Sequence, residues 1–459
     1  MYAGLVAQPY VRRAFGRLDA VQLAMGDSAQ RDQAARYVAN HWTVLGVLAR
    51  DVRAVFIIPF LQAFVAVSAF LSSLVAADRM FHVYIALYWR LLSRKRPIER
   101  WPAASLPPPL EVTADNVDEF PTVVVQLPMF NEKEVCQNII DAACALEWPR
   151  SKVMIQVLDD STCEETRRRI EDKVFEWREK GANIVYRWRS NRHGYKAGAM
   201  HEAMADIEDY DMCAIFDADF DPSLDFLYKT VNVVICCASK TFSVCSMDAM
   251  EFHGMYDDGV VCLLCCTRVS HYEAVPYLRS NPKAGFVQAR WVYTNGAESI
   301  LTRVQEISLN YHIRCEQYAR FAAGLFFNFN GTAGVWRRQC IVDAGGWNNR
   351  TTVEDMDLSL RAYLRGWKFI FLDDVTCMNE IPADYDAYRK QQHRWSCGPM
   401  QLWRKAMAAV WSSDIPLAKK MYLNVFFFGT RMFATHIVSF FLYCTLIPIC
   451  ATVSVRGGS

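Results

Sequence analysis

Val153-Met154-Ile155-Gln156-Val157-Leu158-Asp159-Asp160-Ser161-Thr162 decides the fold. A short apolar run closed by turn-forming residues reads as a buried strand, and the helical pattern of Glu164 to Lys180 follows it. The same alternation recurs on both sides. Thr122 to Leu127, Asn183 to Trp188, Met212 to Phe216 and Ala284 to Ala289 read as strands, and Glu132 to Leu146 and Lys196 to Ile207 as helices. The class is therefore α/β with a mostly parallel sheet. Ligands of such sheets gather beyond the carboxyl ends of the strands, where Asp159, Asp160, Asp217 and Asp219 all stand.

The 459 residues carry a net charge of +1, which excludes a strongly basic nucleic-acid binder. The 52% hydrophobic content is concentrated in two runs outside this α/β region. Ala54 to Ala77 holds no charge between Arg53 and Asp78, and at ~1.5 Å per residue makes a helix of roughly 36 Å, enough to cross a bilayer. Met432 to Val455 repeats the arrangement between Arg431 and Arg456, with His436 and Pro448 inside it. The first run begins too far from Met1 for a cleaved signal, so it reads as a retained anchor. Arg79, Arg90, Arg94, Lys95 and Arg96 beyond it lean toward a cytosolic far side. The 16 cysteines are scattered, and Cys262-Leu263-Leu264-Cys265 lacks partners, so neither a disulfide scaffold nor a zinc module is indicated.

The expected layout is an N-terminal region (1–53), a membrane helix (54–77), a juxtamembrane segment and linker (78–119), a catalytic domain (120–400), interfacial helices (401–431) and a second membrane helix (432–455). Pro102 and Pro107-Pro108-Pro109 stiffen the linker.

Each motif has a plain reading and a chemical one. Asp159-Asp160-Ser161-Thr162 supplies ordinary helix caps as well as two carboxylates at a strand end. Asp217-Ala218-Asp219 is sharper, because alternate carboxylates after a strand can share one hard cation such as Mg²⁺ or Mn²⁺ and neutralise a diphosphate. A strand-terminal Asp-x-Asp also occurs in aspartyl phosphotransferases, which expect Thr or Val where Asp221 stands. In Arg192-His193-Gly194-Tyr195-Lys196-Ala197-Gly198 the glycines allow close backbone approach and Lys196 offers charge to phosphate. Thr351-Thr352-Val353-Glu354-Asp355-Met356-Asp357 opens an amphipathic helix ending at Gly366, with Thr351 or Thr352 as its expected cap and Asp355 as a candidate base. Gln391-Gln392-His393-Arg394-Trp395 joins amide donors, a forked cation and a flat ring suited to sugar and phosphate.

Read together, these phrases, with Phe329-Asn330-Gly331-Thr332-Ala333-Gly334 and Ser396-Cys397-Gly398-Pro399, resemble the family-2 processive glycosyltransferases. At the level of whole phrases they look like plant cellulose-synthase-like family A, the glucomannan 4-beta-mannosyltransferases. The resemblance runs from about Arg53 to Cys450. It implies a glycosyltransferase A-type nucleotide-binding fold flanked by transmembrane helices, a GDP-mannose donor (GDP-glucose in some members), and a growing beta-1,4-mannan or glucomannan acceptor. It implies a multi-pass Golgi membrane location, contact with membrane lipid, a divalent cation, no nucleic acid, and homo- or hetero-oligomers as an open arrangement. It assigns Asp160 to catalysis and to the donor nucleotide, Lys196, Asp217 and Asp219 to the donor, and Asp217 and Asp219 to the metal. It makes Asp355 the base, and places Gln391, Arg394 and Trp395 around acceptor and diphosphate. A single base implies inversion. The sequon Asn330-Gly331-Thr332 is expected unmodified, near the sugar chain.

Two departures stand out. Asn232 to Val275, an atypical insertion with six cysteines, intervenes where the family phrase runs almost continuously, and suggests translated intron sequence. The chain also stops at Ser459, soon after the second apolar run, where the family continues through further membrane helices that help form the polymer channel. The competing expectations are a cellulose-synthase-like beta-1,4-glucan synthase using UDP-glucose and an inactive, truncated or misspliced member.

Overall fold

A computed structural model describes residues 58–93, 96–100, 113–231 and 281–430, with isolated helical positions at 32, 36, 39, 40, 43 and 448. The insertion at 232–275 lies outside the described residues, as does the second apolar run at 432–455 apart from Pro448. Val75–Met432 forms one compact unit, and Met1–Leu74 with Phe433–Ser459 another.

Helix α1 (Ile58–Leu87) runs on past the expected span of 54–77 into a π-helical turn, Tyr88–Leu92. Charge does not end it, because other groups take up each charge. Asp78 lies 3.5 Å from His82, and Arg79 covers the Tyr311 ring at 5.7 Å. Pro59–Leu92 is long and apolar enough to cross a membrane, and few of its residues are buried.

The sheet is built from β1 (Val123–Met129), β2 (Val153–Asp159), β3 (Ile184–Trp188), β4 (Met212–Ile215), β5 (Phe220–Pro222), β6 (Ala284–Tyr293), β7 (Gly334–Arg337) and β8 (Lys368–Asn379). Its order is β3-β2-β1-β4-β7-β6-β8-β5. β3, β2, β1 and β4 pair in parallel, as do β6 and β8, whereas β7 on both sides and β5 against β8 are antiparallel. The sheet is thus mixed, with β1 to β4 in the parallel half and β6 in the other being the strands read from sequence.

Between strands lie α2 (Cys136–Cys144), α3 (Glu164–Glu179), α4 (Tyr195–Ala203), α5 (Phe226–Val231), α6 (Ile300–Asn310), α7 (Tyr318–Ala322), α8 (Arg338–Asp343), α9 (Glu354–Leu364), α10 (Tyr385–Ser412) and α11 (Leu417–Met421). α2 is shorter than the helix expected from Glu132, since Asn131 takes a left-handed φ of 57° and leaves Glu132 in the turn.

The mixed half holds an aromatic core. Phe286 of β6 stacks on Phe369 of β8 at 4.1 Å, with Trp336, Phe327 and Phe329 edge-on or tilted around them. These five side chains are buried, and such large rings contribute much of a core's apolar burial. β8 also receives α1's far end: Arg90 donates to Asp373 at 2.8 Å while covering Tyr318 at 4.6 Å, and Arg96 reaches Asp374 at 2.9 Å.

Candidate active site

β4 delivers Asp217 and Asp219 into the turn before β5, and Phe220 N–H donates back to the Asp217 carbonyl at 3.1 Å. The Asp217 N–H donates to Thr332 Oγ1 at 2.9 Å, which joins this turn to the loop ahead of β7. Lys196 Nζ closes the arrangement, donating to Asp217 Oδ1 at 2.5 Å and to the Gly331 carbonyl at 2.9 Å.

Lys196 reaches that point because the turn before α4 is tightly wound. Arg192, Gly194 and Tyr195 have φ of 43°, 73° and 52°, and a Cβ at Gly198 would lie 1.9 Å from the His193 carbonyl oxygen. Only glycine fits there. Arg189 fixes the same turn from β3: Nη1 donates to the His193 carbonyl at 3.2 Å and Nη2 to the Tyr195 carbonyl at 3.1 Å.

Arg189 also grips Asp160 bidentately, at 2.8 and 2.7 Å, with the Asp160 side chain only 6% exposed. Both carboxylate oxygens accept from Arg189, which ties Asp160 to the turn that presents Lys196. Asp159 is equally tied, accepting from Ser161 N–H at 2.8 Å and Tyr186 hydroxyl at 2.9 Å.

Asp355 stands in the first turn of α9. The expected threonine cap is not formed: Val353 precedes the helix without a side-chain cap, and the buried Thr351 hydroxyl has no partner. Asp355 Oδ1 accepts from Met356 N–H at 2.7 Å instead. Gly366, with φ of 85°, closes the helix as expected. Two residues on from Asp355, fully buried Asp357 is pinned by Arg350 and Arg361 at 2.9 Å each.

Burial, and then the neighbouring Glu354 carboxylate, push the Asp355 carboxyl up to about 7, while Lys196 pulls the other way. Burial raises Glu354 as well, against the pull of Lys196 and Arg394. A Cβ at Gly331 would lie 3.2 Å from Asp355 Oδ2 and 3.8 Å from Lys196 Nζ, so Asp355, Lys196 and the acidic turn meet at one loop.

Asp219 keeps an exposed face, yet the walls around it raise its carboxyl to about 7, helped by Asp217 and Glu132. Glu132 was read as a helix start rather than a site residue. Burial and the Asp217 charge raise it too. Its position just after the carboxyl end of β1 was the signal available in the sequence.

Gln391, Arg394 and Trp395 lie on α10, which starts at its Asp384 cap. A Cβ at Gly398 would lie 2.4 Å from Val353 Cγ1 and 2.9 Å from Thr352 Oγ1, so α10 crosses directly over the start of α9. Gln391 Oε1 is buried without a partner, Arg394 acts on Glu354, and the Trp395 ring is 38% exposed. The structure brings Lys196, Asp217 and Asp355 together around Gly331, and Arg394 within electrostatic reach of Glu354.

The acidic turn suits a hard divalent cation. Glu132, Asp217 and Asp219 offer only oxygens, and burial, then their mutual repulsion, raises Glu132 and Asp219. Among the described residues no three His, Cys, Asp or Glu side chains form a closed metal cage. Mg²⁺ or Mn²⁺ at Asp217 and Asp219 would therefore complete its shell from phosphate and water.

Residues 265–455 match the family model for glycosyl transferase family group 2. The chain is 40% identical over 407 residues to glucomannan 4-beta-mannosyltransferase 1 of Cyamopsis tetragonoloba, covering 88% of this chain and 68% of that protein. It is likewise 40% identical over 408 residues to glucomannan 4-beta-mannosyltransferase 9 of Arabidopsis thaliana, covering 88% and 67%. The chain thus spans about two thirds of the length of these relatives. Its fold is similar to that of a mannosyltransferase from Pyrobaculum calidifontis solved in complex with GDP-Man and Mn²⁺, with a TM-score of 0.55, 17% identity, and coverage of 86% of this chain and 88% of that one.

Proposed function

Because the chain belongs to the glucomannan 4-beta-mannosyltransferases of glycosyltransferase family 2, we propose that it moves mannose from GDP-mannose to the 4-hydroxyl of a beta-1,4-mannan or glucomannan chain, inverting the anomeric centre. One observation carries the residue roles. Asp355 stands across Gly331 and Lys196 from the acidic turn, so a base faces a diphosphate-binding group at close quarters.

Asp355 takes the proton of the acceptor hydroxyl as that oxygen forms its bond to the anomeric carbon and the bond to the diphosphate oxygen breaks on the opposite face. A base held near 7 suits this transfer at neutral pH. Asp217 and Asp219 would hold a divalent cation, which would supply charge neutralisation for the leaving diphosphate. Lys196 orients Asp217 and adds positive charge beside it. Arg394 lies by Glu354, where its guanidinium meets phosphate, and Trp395 offers its ring to the acceptor sugar. Gln391 supplies its buried, unpartnered carbonyl to an acceptor hydroxyl. Asp160 serves the donor nucleotide indirectly, through Arg189 and the Lys196 turn.

The exposed apolar helix Pro59–Leu92 supports a membrane-bound enzyme, and the plant relatives favour the Golgi membrane. Microsomes bearing the chain are expected to make alkali-insoluble beta-mannan from GDP-mannose and Mn²⁺, little product from GDP-glucose, and none from UDP-glucose. Product from UDP-glucose alone would make it a glucan synthase. Donor binding without polymer from any donor would overturn the transferase reading.

A further inference from the structure

The loop 330–333 touches Lys196, Asp217 and Asp355. Gly331 gives its carbonyl to Lys196 and borders Asp355, and Thr332 gives its hydroxyl oxygen to the Asp217 N–H. Its own backbone does not favour that shape, since Gly331 and Ala333 take φ of 88° and 54°. Such left-handed positions persist where surrounding structure imposes them.

One side chain does much of the imposing. Gln288 of β6 is fully buried; its Oε1 accepts from Asn330 N–H at 2.8 Å, and its Nε2 lies 3.0 Å from each of the Ala289, Thr332 and Ala333 carbonyls. It clasps both ends of the loop. Gln317 completes the hold with a reciprocal amide pair to the Asn330 side chain, at 3.0 Å in both directions. That pairing commits the amide of the Asn330 sequon, in keeping with an unmodified side chain.

We propose that Gln288 is a positioning residue for the transfer reaction: it fixes the loop 330–333 so that Thr332 orients Asp217 and Gly331 sets Lys196 beside the base. Gln288 touches no substrate and acts entirely through this loop. The inference rests on the transferase reading for its kinetic consequences, while its geometric consequence, the placement of Asp217, is open to a binding assay.

Gln288→Glu tests it directly, because the shape is kept and the acceptor for Asn330 N–H remains, while an amide with two hydrogens facing three carbonyls becomes a buried acid with a single hydrogen to give. In full-length membrane-bound enzyme, kcat per folded molecule is expected to fall on the order of 10²-fold, the cost of an ångström-scale misplacement, with KM for GDP-mannose changed by about threefold or less. Thr332→Val is expected to weaken Mn²⁺-dependent GDP binding several-fold, and Thr332→Ser to restore it. Because both changes act through one loop, the kcat of Gln288→Glu/Thr332→Val should be close to that of Gln288→Glu alone. Wild-type kcat in folded Gln288→Glu, or multiplicative losses in the double variant, would overturn the proposal. If Gln288→Glu does not fold, the Thr332 pair decides: GDP binding unchanged in Thr332→Val, or lost equally in Thr332→Ser, refutes the loop's role. Should wild-type enzyme make no polymer, the transferase reading fails, and the GDP-binding comparison still reads the loop.

Discussion

Asp160 and Asp355 are both carboxylates that sequence reading places in catalysis, and their surroundings are opposite. At the β2–β3 edge, Asp160 meets Arg189 with both oxygens and is sealed from solvent. At the start of α9, half-buried Asp355 has one backbone donor and a neighbouring Glu354 carboxylate. The first arrangement satisfies a charge and so builds a rigid support. The second leaves a charge under-compensated, and such a group takes up a proton readily. In the proposed mechanism, two like residues are divided into scaffold and chemistry by what each is allowed to touch.

The largest expected effect removes the proton acceptor. Asp355→Asn keeps the size and the Met356 contact but cannot take the hydroxyl proton, so polymerisation should fall about 10²–10⁴-fold with GDP-mannose binding retained. Asp219→Ala should lose binding and turnover together. Radiolabelled transfer alongside equilibrium donor binding separates the two. Normal synthesis by the Asp355 variant would erase the contrast with Asp160.

On the scaffold side, Arg189→Ala strands a buried carboxylate and frees the Lys196 turn. Removing one partner of a buried pair costs about 3–5 kcal/mol, which lowers the melting temperature by on the order of 10 °C. Asp160→Asn should cost less, since it leaves no unpaired buried anion. Equal melting losses in the two variants would mean that Asp160 is no anchor.

This division was only partly legible in the sequence. The parallel strands β1 to β4 and the acids at their carboxyl ends follow from apolar runs punctuated by turn residues. β7 and β5 do not, because four and three residues carry too little periodicity. β8 hides behind Asp373-Asp374, which sit at a break in its register with β6, where Arg90, Arg96 and Arg290 meet them. The Asp160–Arg189 pair needs the β2–β3 register, in which Asp159 lies beside Trp188 and the next residues fall together. Glu132 and Gln288 were missed for the same reason: their roles exist only once distant segments converge.

The third effect is set by pH. With its carboxyl pushed up to about 7, Asp355 is mostly protonated in mild acid, so kcat should rise through neutral pH and be roughly tenfold lower at pH 6 than on its alkaline plateau. Stability moves the other way. The folded protein holds this proton more tightly than the unfolded chain, whose carboxyl titrates near 3.8. The stabilisation is therefore complete below about pH 4 and is lost as pH rises through about 7. Between pH 5 and pH 8 the wild type should lose more melting temperature than Asp355→Asn, by on the order of 2 °C or more. Parallel melting curves for the two would remove the claim that Asp355 is held in an unfavourable charged state.

The smallest expected effect uses the same chemical pair as Asp160–Arg189 in the opposite setting. On α3, Arg168 reaches Glu164 at 2.7 Å, one helical turn away, with the side chains 73% and 67% exposed. Water already solvates both charges there, and ordering two long side chains offsets what little attraction survives screening. Glu164→Gln and Arg168→Gln should each change stability by about 0.5 kcal/mol or less, shrinking further in high salt, with transfer unchanged. Melting temperatures at low and high salt, set beside those of Arg189→Ala, make the comparison. If the exposed pair proved as costly to break as the buried one, burial and geometry would not be what makes Asp160 a support, and the distinction between the two regions would need another cause.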